Sequence, residues 1–571
     1  MPGPGARISP EFAPVTLVYR VTLPSGASET TLTPTVLEPG RATIAVDGSP
    51  VASGSAVRVV VGPDFAPRTV SIVVTTESGA TRSYTVAVVR GSTYFKASNT
   101  GTGDQFGSSV ALSADGSTLA VGAFAEDSSA SGIGGDGTGN SAMDAGAVYL
   151  FRRGPAGLWS QEAYVKASNP GVNDSFGSSV ALSADGATLA VGAAAESSSA
   201  SGIGGDPTSD AAPSSGAVYL FRRSAFAAWS QEAYIKASNT GASDAFGRSV
   251  ALSADGTTLA VGAWAEKSNA TGIDGDQANN SAFLAGATYV FRLGSSGAWS
   301  QEAYVKASNT DAGDWFGTAV ALSADGMTLV VGAHGEASAS TGIDGDPSNN
   351  DTPDAGALYV FQRSVTGAWS QEAYVKAGNA DPGDWFGFSV ALSADGRTLA
   401  VGAPNEDSSA VGVDGDPAGG VTQRAGAVYV LRRSDTGRWS QEAYVKASNT
   451  GEFDAFGHSV SISTDGDVLA VGARYERSGA TGLGGDQTQN DANDAGAAYV
   501  FRRAPSGVWS QEAYIKASNP GVDDEFGRSV ALSGDGATLA VGATGEDSSA
   551  RGLGGDQSLN AALNSGAVYV Y

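Results

Sequence analysis

The sequence predicts an all-β protein: a seven-bladed β-propeller of four-stranded blades over residues 92–571, preceded by a small β-sandwich over 8–90. Three observations carry this. A Phe-Gly pair recurs with an unchanging spacing of 70 residues, at Phe106, Phe176, Phe246, Phe316, Phe386, Phe456 and Phe526. Each copy contains short apolar runs separated by turn residues. The last copy lacks its fourth run, and a matching run stands ahead of the first. Strict periodicity of this length marks one supersecondary unit stacked on copies of itself, since a single copy cannot bury its apolar faces alone.

Residues 8–90 stand outside the repeat. Segments 16–23, 42–46, 56–61, 69–75 and 83–89 alternate apolar and polar residues between clusters of Gly, Pro, Asp and Ser, the pattern of a small sandwich.

Within a repeat, 106–113 is expected as the first strand and 118–123 as the second, joined across Asp115-Gly116, a dipeptide suited to positive backbone angles. Small Ala111, Ala120, Gly122 and Ala123 alternate with bulky Val110, Leu112, Leu119 and Val121, so both strands are expected to be covered on both faces. About 22 residues rich in Gly, Ser, Asp and Asn follow, then strand three at 146–151 and strand four at 159–166. Six copies carry Trp-Ser-Gln-Glu in that last strand, beginning at Trp159, Trp229, Trp299, Trp369, Trp439 and Trp509. The seventh reaches only Tyr571, in strand three, whereas Thr93-Tyr94-Phe95-Lys96-Ala97-Ser98-Asn99 echoes the end of a fourth strand. Residues 92–99 are therefore expected to complete blade seven and close the ring. Closure suits wide antiparallel units better than a linear solenoid because it leaves few exposed edges.

Composition sets limits on partners. The 571 residues are 41% hydrophobic, enough for a sandwich core and the interfaces between blades. No run of 18 apolar residues occurs, so no membrane insertion is expected. The opening Met1-Pro2-Gly3-Pro4-Gly5-Ala6-Arg7 has no apolar signal core, as expected of a mature fragment or of a chain without a classical export signal. Absence of Cys excludes disulfides and thiol chemistry. Up to Gly91 seven Arg face six acidic residues, so the repeats carry about −27 of the formal −26. Such an acidic ring repels nucleic-acid backbones and anionic lipid unless divalent cations intervene, and solubility or cation binding accounts for the acidity better. A protein or glycan ligand and a monomeric chain are expected.

Phe-Gly, then Val-Gly-Ala after the second strand, then Gly-Ala-Val-Tyr and a Trp strand, resemble the FG-GAP repeat family, whose best-known members are the integrin α-subunit propellers. The resemblance covers about 480 of the 571 residues. Only the fifth copy has the literal Gly402-Ala403-Pro404; the others place Phe124, Ala194, Trp264, His334, Arg474 or Thr544 in the Pro position. Integrin repeats that bind calcium do so between strands one and two, where this chain has only Ser-Ala-Asp-Gly, too short for six oxygens around the ion. Those metal sites are therefore not implied, and the closer likeness is to the bacterial branch found in large surface or secreted proteins. Pro10-Glu11-Phe12, Tyr19, Val46-Asp47-Gly48 and the run 78–86 resemble the bacterial cadherin-like β-sandwich domain, without the Asp-Asn calcium signatures of true cadherins. The resemblance implies an extracellular or cell-surface location and a spacer or adhesive role for the sandwich.

Catalysis is not expected. His334 and His458 are the only histidines, occupy different columns of different copies and neighbour no recurrent nucleophile. No catalytic residue and no required cofactor are assigned. Three polar columns recur instead: Asp two residues before each Phe-Gly (Asp104 in the first copy) with Lys96 eight residues earlier, Glu126 after strand two, and Asp136 in the long loop. The Asp is expected to fix a turn, with the Lys nearby. In copies three to five the loops carry Asp274, Asp276 and Asn280, then Asp344, Asp346 and Asn350, then Asp414 and Asp416. Oxygen-rich loops with Gly suit calcium, and they equally suit self-capping through side-chain-to-backbone bonds. Positions that vary between copies bring the aromatics Trp264, Trp315, His334, Trp385 and Tyr475, with Phe388 and Phe453, into blades three to six. They are expected either as a ligand-contact face or as packing between blades. The function expected is a non-enzymatic scaffold for adhesion or ligand recognition; the alternative is a lectin or carbohydrate-active enzyme with its site at the channel mouth.

Overall fold

Seven copies of the repeat give seven four-stranded antiparallel sheets. The structure, a computed structural model, describes every residue except 1, 4, 25–26 and 63–64. In blade one the strands run outward as Ser109–Leu112, Thr118–Ala123, Ala147–Arg153 and Trp159–Val165. The innermost strand is half-buried where it borders the central channel, while the second is buried at every position. The short hairpin turns lie on one face of the ring. The long loops and the links preceding each Phe-Gly lie on the other, here called the loop face.

The recurring glycines mark where blades meet backbone to backbone. A Cβ at Gly122 would lie 2.1 Å from the carbonyl oxygen of Gly177 in the next blade. Gly177 itself has φ 91°, and a Cβ there would meet the Ala147 oxygen at 2.6 Å. Beside this contact Phe176 packs edge-on against Tyr219, centroids 5.3 Å apart, in a cluster joining Val148, Leu150 and Val165 of blade one to Leu189, Val191 and Phe221 of blade two.

Charged residues of the outer strands repeat the tie further out. Glu302, from Trp-Ser-Gln-Glu of blade three, accepts from Arg363 Nε at 2.9 Å and Trp369 Nε1 at 3.1 Å in blade four.

The ring closes as the sequence predicts. Thr93–Phe95 pairs antiparallel with Ala567–Val570, Tyr94 opposite Tyr569. Ser529 Oγ of blade seven donates to the Gly107 oxygen at 2.8 Å, the same bond Ser109 makes to Gly177.

The N-terminal module places Arg7–Ser9, Val18–Thr22, Thr81–Val89, Arg68–Thr76, Ala42–Val46 and Ser49–Val51 in one sheet, with Glu29–Leu32 and Val57–Val60 as a second pair. Val18–Thr22 runs parallel to Thr81–Val89, and Tyr19, Val21, Ile44, Val59, Val70 and Val88 fill the core. The module docks on the ring: Phe65 packs with Val89, Leu483, Ile515 and Tyr571, and its N–H donates to Glu512 Oε1 at 2.7 Å. Among the described residues no helix is long and apolar enough to cross a membrane.

Candidate functional site

The recurrent Glu and Lys columns form buried ion pairs. Glu196, 1% exposed, accepts from Lys236 Nζ at 2.7 Å, Tyr234 OH at 2.9 Å, Ser198 N at 3.1 Å and Asn169 Nδ2 at 3.1 Å. Asn169 comes from the link between blades one and two, and its Oδ1 accepts from Tyr219 OH at 2.6 Å, so the network also joins blades. This corrects the expected placing of Lys with Asp: each Lys of the column pairs with Glu, as Lys96 does with Glu546 and Lys166 with Glu126. Burial pulls the Lys236 ammonium below its ordinary value, against the opposing pull of Glu196.

The Asp column fixes the link, as expected. Asp174 Oδ2 accepts from Gly171 N at 2.7 Å. Burial pushes the carboxyls of Asp104, Asp174, Asp314, Asp384, Asp454 and Asp524 up to about 7. Asp244, with Lys267 Nζ at 2.9 Å, reaches only about 6.

In the long loops Asp274, Asp344 and Asp414 each have φ 55°, where copies one, two, six and seven have Gly134, Gly204, Gly484 and Gly554. Asp tolerates this left-handed position and uses it: the three Oδ1 atoms accept from Tyr304, Tyr374 and Tyr444 N at 2.9, 3.1 and 3.0 Å. Asp276 and Asp416 likewise cap the N–H groups of Ala278 and Ala418, and Asp346 takes Ser348 N and Oγ at 3.0 and 2.6 Å. Asn350 Nδ2 donates to Asp311 Oδ2 at 2.9 Å, and Asn280 is exposed. Among the described residues no group of three His, Asp or Glu gathers at metal-binding distance.

The aromatics of blades three to six converge at the channel mouth on the loop face. Trp264 meets Trp315 edge-on at 5.8 Å, Trp315 meets His334 at 4.4 Å, and His334 touches Trp385 and Phe388, both at 5.4 Å. Phe388 stacks on Trp385 at 5.8 Å and reaches His458 at 5.2 Å. The residue before each Phe-Gly has positive φ in every copy, Trp315 and Trp385 included, at 57° and 62°. A fixed backbone thus aims a side chain that differs from blade to blade. His334 is only 6% exposed and fills the middle of the belt.

Tyr475 lies to one side, with the Arg474 guanidinium 4.2 Å over its ring. Between blades five and six a cavity of about 190 Å³ opens, walled by Trp385, Phe388, Phe453 and Tyr475 and edged by Arg424 and Arg474. Burial and the charge of Arg248 push the His334 imidazole down to about 3. Burial, Arg474 and Arg248 hold His458 well below its ordinary value, so both rings are neutral at physiological pH. Four buried polar atoms in this region, Trp315 Nε1, His334 Nδ1, His458 Nδ1 and Arg474 Nε, have no hydrogen-bond partner in the structure.

Sequence reasoning singled out the belt residues but not the company of His458, Arg424, Asn405 and Arg248. For His458 and Arg248 the signal lay in the residue after Phe-Gly, which reads Ser108, Ser178, Arg248, Thr318, Phe388, His458 and Arg528 around the channel. This column varies while its neighbours repeat.

The FG-GAP repeat family description matches residues 159–221, 229–291, 299–361, 369–431, 439–501 and 509–571. Each match begins on a Trp strand and continues through three strands of the next blade, so the unit that begins on the closing strand, which lacks Trp, falls outside. A cadherin-like beta sandwich domain matches residues 5–91. None of the curated proteins compared matches the chain. Similar solved structures include the periplasmic gluconolactonase PpgL of Pseudomonas aeruginosa, 15% identical over 80% of this chain and 95% of that one, TM-score 0.39. Another is the oligogalacturonate lyase of Vibrio parahaemolyticus, 9% identical over 88% and 96%, TM-score 0.40. A third is an auxiliary nutrient binding protein from Bacteroides ovatus, 10% identical over 96% and 95%, TM-score 0.32.

Proposed function

The chain belongs to the FG-GAP repeat family, and on that premise we propose that it is a non-enzymatic binding scaffold, acting outside the cell or at its surface, that takes a protein or glycan ligand on the loop face between blades three and six. The observation that supports this reading is the continuous belt from Trp264 to His458, set beside buried polar atoms that the protein leaves unpartnered. A buried donor or acceptor without a partner is costly to the fold, and a ligand that supplies the partner recovers that cost. Aromatic and Arg side chains are also the residues that dominate binding surfaces.

A binding role fits the chemistry better than turnover. The polar groups repeated in all blades are spent on internal bonds, and the two imidazoles sit in surroundings that disfavour their charged form. Screening the chain against glycan and extracellular-protein panels, with a hydrolase panel alongside, tests the reading. Saturable binding that Trp385→Ala abolishes, with an unchanged melting profile, is the expected result. Substrate turnover, or binding indifferent to Trp385→Ala, would refute it.

A further inference from the structure

We propose that the cleft between blades five and six holds a single carboxylate-bearing sugar ring. The proposal rests on the binding reading above and names the ligand class for one part of that face.

Charge is the first argument. The propeller carries about −27, yet the inner cavity is lined by Arg424 and Arg474 and by no carboxylate. Glu525 lies 4.0 Å from Arg474 Nη1, outside the lining. Asp354 and Asp407 border the outer continuation of the cleft, a space of about 560 Å³, and Asp407 Oδ1 is taken by the Arg424 N–H at 2.7 Å. The Arg424 guanidinium has no ion pair among the described residues. Two cations gathered in so acidic a ring form a local site for an anion, and a carboxylate is the planar anion that a guanidinium fork matches.

Unspent hydrogen-bonding capacity is the second argument. Arg474 Nε and His458 Nδ1 are buried without a partner, and the Asn405 amide also edges the cavity. One carboxylate cannot engage two guanidiniums, an imidazole and an amide together, whereas a ring bearing hydroxyls as well can. The neutral His458 can donate to or accept from a hydroxyl. Trp385, Phe388, Phe453 and Tyr475 provide the apolar walls against which the C–H face of a sugar lies. The inner volume of about 190 Å³ is below the roughly 300–1,000 Å³ of clefts that take drug-sized ligands, and suits one ring.

The test is calorimetric titration of the full chain with glucuronate, with glucose as the same ring lacking the carboxylate, and with phenylacetate as an acid lacking the hydroxyls. Glucuronate is expected to saturate, with glucose and phenylacetate each at least about tenfold weaker, and added salt should weaken the binding. Arg474→Gln and Arg424→Gln should each cost about tenfold or more, while Arg551→Gln, on an exposed loop of blade seven, should cost nothing. Equal affinity for glucose and glucuronate, tighter phenylacetate, or indifference to both cleft substitutions would overturn the assignment. If glucuronate gives no heat while Trp385→Ala still abolishes capture of a panel ligand, this assignment fails and the binding reading stands. If Trp385→Ala changes no binding, the broader reading fails with it.

Discussion

Replacing Lys236 with Met removes an ammonium that is 0% exposed and lies 2.7 Å from Glu196. The carboxylate keeps Tyr234 OH, Ser198 N and Asn169 Nδ2 but loses its only counter-charge in that network. Breaking a buried pair by removing one partner costs about 3–5 kcal/mol, because the remaining charge has neither water nor an opposite charge. Glu196→Gln should cost a similar amount by stranding the ammonium. The double variant Lys236→Met/Glu196→Gln strands no charge and should recover at least about 2 kcal/mol of the summed single losses. Surface pair Arg397–Asp435, whose Asp side chain is 89% exposed, gives the contrast: breaking it should cost no more than about 1 kcal/mol. Urea unfolding followed by tryptophan fluorescence reads all four. Additive single losses, or a single loss no larger than that of the surface pair, would refute the reasoning that the Glu–Lys column is a charge-compensated core.

Burial raises the Asp column to about 6–7 in the folded protein, against about 3.9 in an unfolded chain. A raised folded value means that the stability contribution is complete below the unfolded value and is lost as pH rises through the folded one. The urea midpoint should therefore fall between about pH 4 and 7, and Asp384→Asn should flatten that slope; a midpoint that climbs over this range counts against it. Gly122→Ala should be severely destabilising, by more than the usual ~1 kcal/mol of a point substitution, because its Cβ would meet the Gly177 oxygen at 2.1 Å; a melting temperature equal to the parent's would contradict the backbone contact. Phe95→Asp places a charge in the cluster of Phe106, Val121, Phe151 and Val568 and should lower the melting temperature of the whole ring rather than of one blade, as differential scanning calorimetry can show. Calcium added to the chain should leave its melting profile unchanged, since Asp274, Asp344 and Asp414 already cap backbone N–H groups; a calcium-dependent rise would favour the loops as metal sites.

Periodicity made the ring legible before any coordinates, because an identical Phe-Gly and Val-Gly-Ala in every copy can serve only contacts that every copy makes. The closing strand was legible for the same reason: Tyr94 and Phe95 match residues that pair with the third strand of a blade, and Lys96 matches the Lys that pairs with the Glu after strand two. Short polar strands such as Glu29–Leu32 and Ser49–Val51 escaped notice because four or fewer residues give alternation nothing to repeat. Partners within the polar columns were hidden too. Lys236 and Glu196 are 40 residues apart, and only the antiparallel return of strand four brings them together. The cleft was half visible: Trp385 and Tyr475 stood out as departures from the repeat, but the neighbourhood of Arg424, His458 and Arg474 depends on how two adjacent blades splay at the channel mouth.

The docked sandwich has a mechanical consequence. Its last strand, Thr81–Val89, runs almost directly into Thr93–Phe95, and the junction is tight enough that a Cβ at Gly91 would fall 2.5 Å from the Leu23 carbonyl oxygen. A pull on the sandwich would thus be delivered to the one seam held by hydrogen bonds between distant parts of the chain. Phe65, wedged against Leu483 and Ile515 and bonded to Glu512, gives the load a second path into blade six. Tension on the sandwich is therefore divided between the seam and blade six.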